Sequence, residues 1–469
     1  MQFSPWVLFT DFAFLSVLLL VGQLARNYIP LLQKYMLPAS LTAGFLGLAF
    51  GPNGLGYIPL SSQLGTYSSI LIVMVFGALP ISSRVTDAKA FGREVGEMWS
   101  YVTFGCLAQY GLAMLLSIFV FGLVWQLHPG FGYMLATGFF GGHGTAAAVG
   151  ASFKPYAWAD ATSLAMTSAT VGVIASVIGG LILVNYGARR GYTREVSSPD
   201  KMIDNEMLTG MIPPGKQKPI GKETTSGISL ESLTFHLSLI MLAAIAGRYG
   251  TIWFGRIIPS VSVPEFCVAL FAGYVIQWVL SRTGGQKYVD SASINRLSNL
   301  ATDYLIVAGI ASIKLPVVIQ YAGPLSALFV AGIALVLFQA IWMGPRQFKD
   351  YWFEKSMFCY GFNTGTLVNG VMLLRIIDPN MKSRSMETYA VVGLVDRPMI
   401  IALIALGPAL IGTGYAVHFA LACSVLAIVP LVVSKLFGWW HPDQRTVGDA
   451  VGEAVGEPIG EPVAETKAN

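Results

Sequence analysis

Two glycine-rich runs carry the most unusual chemistry in this sequence. Gly141-Gly142-His143-Gly144-Thr145 lies within the apolar stretch GFFGGHGTAAAVG (138–150), and Gly361-Phe362-Asn363-Thr364-Gly365-Thr366 opens GFNTGTLVNG (361–370). Glycine tolerates positive φ and close chain approach. Backbone amides freed at a helix break favour carboxylates, whereas loosened carbonyls favour cations. Thr145, Asn363, Thr364 and Thr366 add neutral oxygens of the kind hard cations take. His143 is a lone histidine, either a hydrogen-bonding strut that fixes its loop or a substrate contact. Without neighbouring ligands it is no metal site.

Few ionisable residues fall inside apolar stretches, where charge is costly and usually functional. Asp303 is a sodium ligand, a partner for a substrate ammonium group, or an acid at a helix start facing water. Asp396 and Arg397 interrupt VVGLVDRPMI. Asp396 suits sodium and Arg397 suits a bidentate grip on a substrate carboxylate, the alternative being structural ion pairs to other helices. Pro398 implies a local break there. Glu265 reads as an exposed helix-start acid and Asp11 as a packing or interface residue. Ser168 and Thr170 either complete an ion shell or bond back to their own helix.

The elements that must position these residues are membrane helices. Of 469 residues, 54% are hydrophobic and only 12% charged, against about 25% charged in soluble domains. The apolar blocks approach the roughly 20 residues a helix needs to cross a bilayer. Spans are predicted at 6–25, 35–52, 66–83, 100–126, 161–186, 232–247, 257–280, 298–316, 321–343, 387–408 and 414–437. The broken stretches 129–153 and 353–377 each lie between the fourth and fifth span of their half. The first span has no basic n-region and reads as a retained helix, not a cleaved signal. With the N-terminus outside, all 29 Lys and Arg fall on the cytoplasmic side except Lys154, Arg248, Arg256, Lys314 and Arg397, as the positive-inside rule requires.

Composition also excludes function classes. The four cysteines sit in or beside apolar stretches with no CxxC or HExxH pairing, so structural thiols are expected and a transition-metal site is not. Basic residues lie in loops rather than on a patch, which argues against nucleic acid. No GxSG or GxGD motif suggests an intramembrane enzyme. Residues 187–231, rich in Pro, Gly and Lys, read as a cytoplasmic linker. The tail 441–469, with its acidic VGDAVGEAVGEP repeat, reads as disordered and dispensable for transport.

Five spans before the linker place the second half upside down relative to the first. LPASLTAGFLGLAFGP (37–52) is weakly similar to VPEFCVALFAGYVIQW (263–278), and Gly144-Thr145 matches Gly365-Thr366 in position. The predicted fold is therefore an all-α polytopic membrane protein. Two inverted-topology five-span repeats, 1–186 and 232–412, each carry a re-entrant hairpin loop, and an extra span covers 413–440. Mirrored broken segments point to the binding site of a secondary transporter. A passive channel would need a continuous polar pore face instead.

GGHGTAAAVG, then ATSLAMTSATVGVIASVIGGLIL (161–183), the LPASLTAG turn and DYLIVAGIASIKL (303–315) together resemble the bacterial sodium/glutamate symporter family. The likeness reaches to about residue 412. It implies two inverted five-span domains whose hairpin tips meet near the membrane middle, and sodium-coupled uptake of glutamate by a homodimer in the inner membrane. Sodium is then the coupling ion and no other cofactor is expected. Carried onto this chain, the first tip is Gly141, Gly142, His143, Gly144 and Thr145 and the second runs from Gly361 to Thr366. Joined with the embedded ionisable residues weighed above, the expected substrate contacts are Gly142, His143, Gly144, Thr145, Asn363, Thr364, Gly365 and Arg397, and the expected sodium ligands are Thr145, Asp303, Thr366 and Asp396. Ala39 after Pro38, Glu265 after Pro264 and the GFNTGT tip depart from the family pattern and mark a divergent subfamily. Another dicarboxylate or hydroxycarboxylate, with sodium or proton coupling, is the alternative substrate class.

Overall fold

The computed structural model describes residues 4–82, 92–194, 208–217, 219–257, 264–379 and 381–445. Parts of the expected linker and most of the expected acidic tail lie outside the described residues. Among those described, all regular structure is helical. Numbered in chain order, the principal helices of the first half are α1 (Pro5–Tyr28), α2 (Ala39–Phe50), α3 (Leu64–Ser82), α4 (Arg93–Phe119), α5 (Tyr133–Gly138), α6 (Gly142–Ser152) and α7 (Ala161–Arg189). The second half supplies α8 (Ser232–Ile257), α9 (Glu265–Thr283), α10 (Ser291–Ala311), α11 (Ala322–Gln347), α12 (Trp352–Thr364), α13 (Leu367–Ile377), α14 (Ser385–Gly412) and α15 (Ala416–Leu436).

Nine helices among the described residues are long and apolar enough to cross a membrane, so the chain is a multi-pass membrane protein. The expected second and eighth spans are not among the nine. α2 is only 12 residues long. α10 opens on the polar run SASINRLSN, which lowers its hydropathy, and its start is fixed by Asp290, whose side chain accepts from the Ser293 amide. Boundaries shift at the sixth and seventh spans: α8 runs on to Ile257, and α9 begins at Glu265 rather than at 257. Pro264 at the N-cap of α9 suits that start, because proline lacks the N–H that a helix beginning does not need, whereas Pro398, expected to break its span, lies inside the uninterrupted α14. All four cysteines are free thiols.

The helices sort into two bundles. α1, α2 and α3 pack with α8, α9 and α10, while α4 to α7 pack with α11 to α15. Small residues bring the first bundle's helices together: a methyl group at Gly77 of α3 would stand 3.0 Å from the Ala243 Cβ of α8. Asp11 belongs here. Buried on α1, it accepts hydrogen bonds from the Ser61 amide (2.9 Å), the Ser61 hydroxyl and the Tyr67 hydroxyl (2.7 Å). Both carboxylate oxygens are thus satisfied, the signature of a packing role.

The two bundles touch mainly through α6 and α7, which lie against α3 and α10. A methyl group at Gly144 of α6 would come 3.0 Å from Ile72 Cδ1, and one at Gly309 of α10 would come 2.7 Å from Met166 Cε. The additional helix α15 covers α4, with the Ser100 hydroxyl donating to the Pro430 carbonyl at 2.7 Å. Beyond α15 the chain turns back onto the start of α4. His441 Nε2 lies 2.9 Å from Glu97 Oε1, which Arg93 Nε also meets at 2.9 Å, and Arg346 pairs with Asp443 at 3.0 Å.

Candidate functional site

Both glycine runs break their helices. α5 stops at Gly138 and α6 starts at Gly142, whose φ of +63° is the left-handed conformation that glycine alone adopts freely. α12 stops at Thr364 and α13 starts at Leu367, after Gly365 at φ −141° and ψ −102°. The arms of the second pair press together closely: a methyl group at Gly361 would lie 2.7 Å from the Gly370 Cα.

The two breaks meet. A methyl group at Gly142 would stand 3.3 Å from the Gly365 carbonyl oxygen and 3.4 Å from Thr366 Cγ2. The Phe140 and Phe362 rings contact edge to face, 4.9 Å between centroids. α7 cradles the second break from behind, where a π-helical turn at Ala175–Gly179 lets Ser176 reach it; such turns are frequent at functional sites. Ser176 Oγ donates to the Gly361 carbonyl at 2.9 Å, and the Tyr360 hydroxyl donates to the Ala175 carbonyl at 3.1 Å.

The residues singled out from the sequence divide by what they touch. His143 is buried with Nε2 3.2 Å from Thr170 Oγ1, while Thr170 Oγ1 donates to the Met166 carbonyl; the histidine ties α6 to α7 as a strut. Its Nδ1 has no partner among the described residues. The Thr364 hydroxyl bonds back to the Tyr360 carbonyl at 2.6 Å, and Ser168 reaches the Leu135 carbonyl. Thr145 is buried on α6, and Thr366 is half-buried at the meeting of the tips. Asp303 stands apart from this group, exposed on α10 in the other bundle and beside Ser40 of α2. Glu265 pairs with Arg248 at the paired ends of α8 and α9.

Asp396 and Arg397 do come together with the second break. Both line a cavity of about 230 Å³ that also touches Tyr389, Val102, Phe358 and Leu367. Asp396 is buried, and its Oδ1 accepts from the Thr103 hydroxyl of α4 at 2.9 Å; Oδ2 has no hydrogen-bond partner among the described residues. A second cavity, about 790 Å³, is lined by acidic residues (Glu94, Glu97, Asp350, Glu387) as well as basic ones (Arg93, Lys349, Lys355, Arg384) and shares Ala390 with the first. Among the described residues no three His, Cys, Asp or Glu gather as a metal site.

The sequence reading missed Thr103, Ser176 and the glutamines Gln109 and Gln339. The two glutamines form a buried chain with Asn363. The only sign of them in the sequence is a lone amide within each of two otherwise apolar runs, CLAQYGLA and LVLFQAIW.

Helix breaks that meet in the interior of a polytopic helical membrane protein are a feature of proteins that move solutes across membranes, channels and transporters alike. The family model for the sodium/glutamate symporter matches residues 8–370, and the chain belongs to that family, which is one of transporters rather than enzymes. The matched part holds both tips and ends at Gly370, before α14 with Asp396 and Arg397. No curated protein matches the chain.

Proposed function

We propose that this protein is a sodium-coupled symporter that takes up glutamate by alternating access. The observation that carries the proposal is the meeting of the Gly142 and Gly365 breaks next to the cavity lined by Asp396 and Arg397. The two halves, 1–186 and 232–412, act as inverted repeats, and each broken pair of helices is a re-entrant hairpin. A cavity of about 230 Å³ lies below the roughly 300–1,000 Å³ of drug-sized sites, which suits a small amino acid. Freed amides at the start of α6, with Gly142, Gly144 and Thr145, receive one substrate carboxylate, beside Thr364 and Gly365 of the second tip. The Arg397 guanidinium binds the other in bidentate fashion.

Sodium enters an oxygen-lined site near Thr145, Thr366 and Asp396 and adds positive potential for the anion. The bundle of α4 to α7 and α11 to α15 then moves as the loaded unit against the bundle of α1 to α3 and α8 to α10, which serves as scaffold and dimer surface. Their contact, made mainly through α6 and α7, supports this division, because few interactions need to be exchanged during the movement. Coupling follows if each ligand favours the mobile state only when the other is bound. The protein sits in the bacterial inner membrane with its N-terminus outside and its linker and tail in the cytoplasm.

The proposal is tested by uptake of labelled glutamate into proteoliposomes, with unlabelled aspartate, citrate and malate as competitors. Competition by glutamate and aspartate alone supports an acidic amino acid. Stronger competition by citrate or malate transfers the same site to a hydroxycarboxylate.

A further inference from the structure

Behind the second tip, α4, α11 and α12 are joined by a chain of side-chain amides. Gln109 Nε2 donates to the Asn363 carbonyl oxygen at 2.9 Å, Asn363 Nδ2 donates to Gln339 Oε1 at 3.0 Å, and Gln339 Nε2 donates to the Tyr101 carbonyl oxygen at 2.6 Å. All three side chains are almost completely buried, at 0 to 1% exposure. Gly105 makes the room: a methyl group there would stand 2.6 Å from Gln339 Oε1 and 2.9 Å from Asn363 Nδ2.

The orientation of each amide, usually a matter of choice, is fixed here by its ends. Both ends of the chain are backbone carbonyls, which only accept. Turning Gln109 over would set its oxygen against the Asn363 carbonyl. Turning Gln339 over would set its oxygen against the Tyr101 carbonyl, and turning Asn363 alone would oppose two oxygens. With every amide nitrogen so committed, Gln109 Oε1 and Asn363 Oδ1 remain buried with no hydrogen-bond donor among the described residues. A buried acceptor left without a partner costs about 1–3 kcal/mol, and here two occur on residues that touch each other.

We propose that Gln109 Oε1 and Asn363 Oδ1 are ligands of a second sodium ion, distinct from the one near Asp396, bound at the C-terminal end of α12. Two neutral carbonyl oxygens suit a hard monovalent cation, by analogy with other oxygen-ligated cations. The location reinforces this, since Asn363 lies in the last turn of α12, where the helix dipole places partial negative charge. Gly365 is two residues further on, so a cation here holds the end of α12 in place directly behind the tip. Asn363 is thereby an ion ligand, not a substrate contact. The assignment rests on the sodium-coupled reading above.

The test uses full-length protein in detergent without substrate, comparing thermal unfolding in sodium chloride with that in potassium and choline chloride. The wild type is expected to gain a saturable, sodium-specific rise in unfolding temperature, as ligand linkage requires. Gln109→Met and Asn363→Ala should each raise the sodium midpoint at least tenfold while still unfolding cooperatively in choline, at a lower temperature because each removes a buried hydrogen bond. Either variant suffices if the other does not fold. Sodium stabilisation of the wild type with unchanged midpoints in the variants would overturn this site and leave sodium coupling standing. No sodium-specific effect on the wild type would overturn the site and count against sodium coupling as well.

Discussion

Gly142 of the first helix break faces Gly365 of the second, with 3.3 Å between the place of a Gly142 side chain and the Gly365 carbonyl oxygen. Gly142 also holds φ at +63°, so any side chain there meets a steric and a conformational penalty together. Left-handed backbone costs a non-glycine residue about 1–2 kcal/mol. Gly142→Ala is therefore expected to lower the unfolding temperature and to reduce uptake at least tenfold. Gly144→Ala instead presses on Ile72 in the other bundle, and is expected to slow uptake while moving substrate affinity by less than threefold. Paired uptake and binding measurements separate the two.

Arg397 and Asp396 share one cavity but divide its work. Arg397→Lys keeps the charge and loses the planar fork, so KM for a dicarboxylic amino acid should rise at least tenfold with a smaller change in maximal rate. Asp396→Asn keeps the shape and removes the charge. It should weaken sodium activation, and Thr103→Val, which removes the 2.9 Å hydrogen bond to the same carboxylate, should do so in the same direction but less. Sodium-activation curves of uptake check both. Unaltered curves would place sodium elsewhere.

Movement of one bundle against the other has a direct geometric test. In a cysteine-free background, cysteines at Met166 and Gly309 lie on facing helices of different bundles, whereas cysteines at Gly77 and Ala243 lie within one bundle. Cross-linking the first pair with a short mercury bridge is expected to stop transport until excess competing thiol is added. Cross-linking the second pair should leave at least half the activity. Equal loss in both would argue against relative movement.

The segment after α15 is a clamp rather than a loose end up to Arg445. Truncation after Arg445 should leave uptake within twofold of wild type, but truncation before Trp439 removes the His441 contact to buried Glu97 and the ring that fills the space beside Gly96. His441→Ala should cost roughly 1.5–3 kcal/mol, the range for a hydrogen bond to a charged group, and His441→Gln should recover part of it. The hydrogen bond from Arg445 holds the Asp443 carboxyl below its ordinary value of 3.8, with Arg346 adding to the effect. Because the folded-state value is depressed, its contribution is fully present above the ordinary value of 3.8 and is lost as pH falls from there through the folded-state value. Unfolding curves of the wild type between pH 7 and 5 should therefore show no loss from Asp443.

Much of this arrangement is legible in the order of residues, and the rest is hidden for physical reasons. Glycine clusters inside apolar runs announce a break, and both breaks lie at the two predicted runs. That they touch does not follow from composition, since contact between halves depends on how helices pack. Asp303 shows the limit in the other direction: a carboxylate in an apolar segment suggests a ligand, but its place beside Ser40, in the bundle away from the two breaks, depends on helix packing. Gln109 and Gln339 escape notice because one uncharged amide within a long apolar run still reads as a span, although burial makes its hydrogen bonds demanding. Thr145, Thr364 and Thr366 look alike in sequence. Only the Thr364 hydroxyl is seen to be occupied by its own helix.

The most direct test of sodium-driven glutamate symport is accumulation of labelled glutamate in proteoliposomes under an imposed inward sodium gradient. Uptake above equilibrium that collapses when sodium is equal on both sides is the expected result. Accumulation that ignores sodium and follows a proton gradient would contradict it, as would downhill flux without accumulation.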